Sequence, residues 1–156
     1  MSYCYVWKKE DRVYMIADSA TSSECDSDSL KLSSFGEKQG RFGKYYVSER
    51  QLKIYRINHE TVAAFSGDVK HALELIYGIC ENCSTMSFEA IRDIMAANII
   101  PDTEMVLVKT GEHPQIVYVS SEGSSAVNSC ELGVGQENAS FSEYVKEVSN
   151  SHIRKS

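Results

Sequence analysis

Apolar and polar positions alternate in blocks that change period along the chain. Residues 3–7 and 13–16 are aromatic and β-branched, with the charged stretch Lys8 to Arg12 between them, which predicts a β-hairpin. From residue 21 to residue 44 the pattern is lost. Ser, Gly, Asp and Lys dominate, which predicts a long surface loop or a partly disordered insertion. An insertion of that length in a compact domain is usually functional or mobile. Alternation returns with a short strand at residues 45–47. Residues 52–57 and 61–65 then form a second hairpin across the turn Asn58, His59, Glu60.

The period next changes to that of a helix. Val69, Ala72, Leu73, Ile76 and Ile79 recur at spacings of three and four, with Asp68 placed to cap the N-terminus. A second helix is predicted over residues 88–98. Ser87 opens it, Glu89 lies in its first turn, and Phe88, Ile91, Ile94 and Met95 form its apolar stripe. Strands follow at 105–108 and 116–119, joined by the turn 111–114. A further short strand over 127–132 and a helix over 140–148 complete the series. Strand pairs enclosing two central helices, with a helix at the end, predict a layered α+β domain.

Length and composition sharpen this only slightly. The 156 residues suit one domain over 1–156 with a polar insertion at 21–44. A net charge of −6 argues against general nucleic-acid binding, which needs clustered Lys and Arg. No signal-peptide pattern opens the chain and no apolar run is long enough to cross a bilayer, so a cytoplasmic protein without membrane contact is expected. Five cysteines, an odd number, suit a reducing compartment. Cys80 and Cys83 form a lone CxxC, read as a helix end and the loop after it. A zinc site needs about four ligands, and no second pair lies nearby. Residues 36–43 are Gly-rich but lack a phosphate-loop pattern. No cofactor is expected.

The candidate chemistry lies at the start. Ser2 follows Met1, and aminopeptidases remove Met before a residue as small as Ser. A free α-amino group has a pKa near 8 and can act as general base for its own residue's hydroxyl. The second predicted strand then delivers Ala17, Asp18 and Ser19.

With these residues in place, the chain resembles a proteasome β-type subunit, one of the N-terminal-nucleophile hydrolases. Ser2 falls at the nucleophile position, and Ala17-Asp18-Ser19 matches the family's triplet without a gap. The segment from Lys53 to Val69 resembles the family's Lys-Ile segment, hairpin and small-Gly-Asp motif at Ser66, Gly67 and Asp68. The blocks from Glu104 and from Gln115 to Gly123 resemble a later strand pair, and Gly133-Val134-Gly135 resembles a turn before a long helix. The resemblance covers residues 2 to about 145. It implies a four-layer αββα sandwich, shortened at its C-terminal end. It also implies a peptide or amide substrate and assembly as a homo-oligomer or with related subunits.

By the same resemblance Ser2 attacks a carbonyl, Lys53 lowers the effective pKa of its hydroxyl, and Asp18 holds Lys53. Backbone N–H groups at Ser66 and Gly67 form the oxyanion hole, where glycine allows close approach. Cys4 is a rival nucleophile, but its use would require loss of Met1, Ser2 and Tyr3 and would break the spacing to Asp18. The chain departs from the family where Ala20 replaces an Arg, where Val134 replaces a Ser, and where a later supporting Asp has no counterpart. These departures favour the alternative, a catalytically inactive proteasome-like subunit acting as a structural or interaction protein.

Overall fold

The structure is a computed structural model and describes residues 3–24, 41–42, 45–49, 51–133 and 139–152. Ser2, Val134, Gly135 and the stretch 25–40 lie outside the described residues. In chain order the strands before the first helix are β1 Tyr3–Lys9, β2 Arg12–Ala17, β3 Ala20–Glu24, β4 Arg41–Phe42, β5 Tyr45–Glu49, β6 Ile54–Arg56 and β7 Thr61–Gly67. Helices α1 Val69–Cys80 and α2 Phe88–Asn98 follow, with a 3₁₀ turn Cys83–Thr85 between them. Strands β8 Thr103–Lys109, β9 Gln115–Ser120, β10 Gly123–Val127 and β11 Ser129–Gly133 precede helix α3 Ala139–His152.

The fold is mixed α+β. Its strands form antiparallel sheets of order β11-β1-β2, β10-β9-β8-β7-β6 and β3-β5-β4. The hairpin β1-β2 pairs Val6 with Met15 and turns at Glu10, whose φ is 54°.

Residues Tyr3 to Trp7 are all buried although they alternate between faces, because β1 is covered on both sides. Cys4 and Val6 join Leu132, Ala64, Val106, Val108 and Ile116 in a core shared with the five-stranded sheet. Tyr3, Tyr5 and Trp7 pack on the opposite face with Val145 of α3. The five-stranded sheet is likewise covered on both sides. Its other face carries Ala63, Phe65, Met105, Leu107, Val117 and Val119 against Ala72 and Ile76 of α1 and Ile91 and Met95 of α2. Truncating a fully buried Ile91 or Met95 to Ala costs about 2–5 kcal/mol by the usual cavity argument.

The helix starts follow the sequence. Asp68 accepts from the His71 backbone N–H at 2.9 Å, and Ser87 accepts from that of Ala90 at 3.2 Å. In the β6–β7 turn, Asn58 Nδ2 donates to the carbonyls of Cys83 and Met86, which ties the turn to the α1–α2 connection.

Four expectations need correction. Residues 20–24 and 41–42, inside or beside the polar insertion, are strands rather than loop, because β5 offers a main-chain ladder that a polar sequence can join. The single strand expected over 127–132 is two. It breaks at Asn128, where the chain leaves the five-stranded sheet for the β11-β1-β2 sheet, and Asn128 O accepts from Lys8 N at 3.0 Å. Ile94 lies at the edge of the α2 stripe and is 38% exposed. The second hairpin's first strand begins at Ile54, leaving Leu52 exposed. No described helix is long and apolar enough to cross a membrane.

Candidate active site

Strand β2 ends at Ala17, and the chain stays tied to β1 for one more residue. Asp18 N donates to Tyr3 O at 3.0 Å. The Asp18 carboxylate then ion-pairs with Lys53 Nζ through Oδ1. Lys53 Nζ also donates to Ala20 O at 2.5 Å, and Gln51 N donates to Ser19 O at 3.2 Å. Residues 18–20 are thus joined to residues 51–53, just before β6. The Lys53 side chain is 0% exposed. A buried ammonium without partners costs several kcal/mol, so this contact must form for Lys53 to be inside at all.

The structure therefore brings together Asp18 and Lys53, two of the residues that the sequence singled out. Ser2 is outside the described residues. Tyr3, the residue that follows it, is bonded through its carbonyl to Asp18, which holds Lys53.

Gly67 closes β7 and is exposed, with φ at +99°. A Cβ added there would meet Asp102 O at 1.9 Å, and the next residue's N–H bonds that same carbonyl at 3.0 Å. The close approach that glycine permits is therefore to the Asp102 backbone. The β6–β7 register pairs Ile54 with Ala64, and extending it sets Gln51 level with Gly67. Gly67 thus lies toward the same end of the sheet as Lys53.

Cys4 is fully buried between the sheets. Burial is the main cause that pushes its thiol up to about 12, with Cys130 and Asp18 adding to the shift and Lys53 opposing it. A thiol so placed is protonated at neutral pH and is a poor nucleophile. Cys130 is pushed up to about 12 by burial first, then by Glu104 and Glu131. Cys80 ends α1, and Cys83 opens the 3₁₀ turn and donates through its thiol to Ile57 O at 2.9 Å. The CxxC thus occupies the helix end and the connection after it. Among the described residues, no three His, Cys, Asp or Glu side chains gather as a metal site would need.

Sequence reasoning missed two polar pairs. Tyr118 donates to Glu104 Oε1 at 2.7 Å, and burial followed by that bond pushes the phenol up to about 12. Tyr3 donates to Glu131 Oε1 at 3.3 Å. The partners lie 14 and 128 residues apart in sequence, on different strands, so no local spacing reveals either pair. An apolar cleft of about 390 Å³, lined by Val13, Met15, Ile54, Val62, Val108 and Pro114, opens beside the β1–β2 turn. Lys53 and Asp18 do not line it.

Compared with known proteins, the chain matches no protein-family model and no curated protein sequence.

Proposed function

We propose that the chain is an N-terminal-nucleophile amide hydrolase of the peptidase type, with Ser2 as nucleophile once Met1 is removed. The observation that carries this reading is the ion pair of the buried Lys53 with Asp18, tied through the Asp18 backbone to the residue after Ser2. A lysine held wholly inside by a carboxylate and a carbonyl is unusual, because lysine is almost never fully buried unless paired. It suits a fixed positive charge beside a reacting hydroxyl.

In this reading the Ser2 α-amine takes the hydroxyl proton as the oxygen attacks the substrate carbonyl. Lys53 stabilises the charge on the attacking oxygen. The backbone N–H of Gly67 receives the developing oxyanion. The amine passes its proton to the departing nitrogen, leaving an ester on Ser2 that water then cleaves by the same route in reverse. The mechanism uses no cofactor.

We read the packing as a four-layer αββα sandwich. Support comes from α1 and α2 on one face of the five-stranded sheet, the core shared by that sheet and the β11-β1-β2 sheet, and α3 on the far face of the latter. Assembly as a homo-oligomer or with related subunits belongs to the same reading. A cytoplasmic location is supported by the thiols of Cys4, Cys80, Cys83 and Cys130, none of which is in a disulfide. One observation favours the alternative, an inactive subunit of the same fold. Where the resemblance has an Arg side chain, this chain has Ala20, and only its carbonyl meets Lys53.

The test is the intact mass of the protein before and after treatment with an electrophile that caps N-terminal nucleophiles. Loss of Met1 with a single adduct on Ser2, absent in Ser2→Ala and much reduced in Lys53→Ala, is the expected result. Retained Met1, or no adduct, overturns the hydrolase and leaves the inactive subunit.

A further inference from the structure

Tyr3 is a junction. Its carbonyl accepts from the Asp18 N–H at 3.0 Å, which links it to the Lys53 pair. Its side chain leaves the opposite face of β1 and donates to Glu131 Oε1 at 3.3 Å. That same carboxylate oxygen accepts from Ser142 Oγ at 2.6 Å and lies 3.2 Å from Lys146 Nζ. Glu131 sits on β11, opposite Tyr5 in the register, whereas Ser142 and Lys146 sit on α3. One oxygen thus gathers the first described residue of β1, its neighbour strand and the last helix.

The geometry points to Glu131 as a positioning residue that fixes the chain end at Tyr3 and thereby orients Ser2. The anchor is well placed for this. The Glu131 side chain is only 15% exposed and Ser142 is buried, so water competes weakly for these bonds. Burial, and after it the Glu131 charge, push the Tyr3 phenol up, so it stays a donor across the physiological range. An N-terminal nucleophile has no preceding residue to hold it, so its orientation depends on what grips the residue after it. Tyr3 is gripped on both sides, by Asp18 through its backbone and by Glu131 through its ring oxygen. Displacing a reacting group by about 1 Å can cost about a hundredfold in rate.

This inference rests on the reading of Ser2 as nucleophile, and its test separates the two. Tyr3→Phe removes one hydroxyl and leaves the aromatic packing intact. Glu131→Gln keeps the shape and removes the charge that gathers Lys146. For each variant and the wild type, two quantities are measured: the rate at which an N-terminal electrophile caps Ser2, and amide exchange over residues 3–5 and over α3. Both variants should cap about tenfold more slowly or worse and exchange faster over residues 3–5. A purely structural clamp would speed exchange in α3 while capping at Ser2 kept its wild-type rate, and that result overturns the proposal. If wild-type Ser2 is not capped at all, the nucleophile reading falls. The positioning role falls with it, whereas a wild-type Ser2 that is capped and keeps its rate in both variants overturns the positioning role alone.

Discussion

Lys53 and Asp18 share an ion pair but not an environment: the lysine side chain is 0% exposed and the aspartate side chain is 36% exposed. The two partners are therefore not equivalent to remove. Asp18→Ala strands a buried ammonium with only the Ala20 carbonyl, at a cost of about 3–5 kcal/mol. Lys53→Met keeps the apolar stem and leaves Asp18 able to draw on water, so about 2 kcal/mol or less is expected. Urea unfolding of both variants checks the order. A Lys53→Met protein less stable than Asp18→Ala would contradict the burial asymmetry.

Gly67 is constrained twice over. Its φ of +99° is strained for any residue with a Cβ, and that Cβ would overlap Asp102 O at 1.9 Å. The dihedral strain alone costs about 1–3 kcal/mol. Relieving the overlap means parting the β7–β8 end, where Gly67 pairs with Thr103. Gly67→Ala is thus expected to lose more than about 2 kcal/mol in denaturant unfolding, whether or not the oxyanion role is correct. A near-neutral Gly67→Ala would show that the β8 end yields easily.

Alkaline pH should destabilise the protein before it affects an ordinary domain of this size. Cys4 and Cys130 move from an ordinary thiol value of 9.0 to about 12, and Tyr118 from 10.0 to about 12. In each case the folded state holds a proton that the unfolded chain releases earlier. The stabilisation is complete below the unfolded value and is lost as pH rises through the folded one. Between about pH 9 and 12 the unfolded state binds fewer protons, so stability falls, by about 1.4 kcal/mol per pH unit for a group as buried as Cys4. Urea midpoints at pH 8, 9.5 and 11 should drop steadily, and Cys4→Ala should show the shallower fall. A flat profile would mean these groups are more hydrated than the packing implies.

Much of the fold could be read from periodicity because local rules and burial agree. The α1 and α2 boundaries follow Asp68 and Ser87, whose side chains cap as their position suggests. The apolar run of β1 reflects cover on both faces. Where sequence reading failed, the cause was nonlocal. β3 forms because β5 is there to pair with it, and nothing in a Ser-rich stretch announces a distant partner. The break at Asn128 reflects a change of sheet, which alternation cannot encode. The pairing of Asp18 with Lys53 was expected only from the family resemblance. The Glu131 anchor was not, since its partners come from β1 and α3.

Thiol chemistry separates Ser2 from its rival nucleophile, Cys4. Cys4 is fully buried and Cys130 partly so, and burial raises both thiols far above neutrality. Reaction with a thiol reagent needs both exposure and thiolate. Cys80 and Cys83, at the α1–α2 connection, are half-buried as Cys130 is, and burial followed by Cys83 also pushes the Cys80 thiol up. At pH 8, alkylation of the native protein followed by peptide mapping should find Cys83 modified well before Cys4. Unfolding in urea should bring Cys4 and Cys130 to the same rate as the others. Fast modification of Cys4 in the folded state would require an opened β1 and an ionised thiol. It would move the nucleophile from Ser2 to Cys4, against the spacing to Asp18.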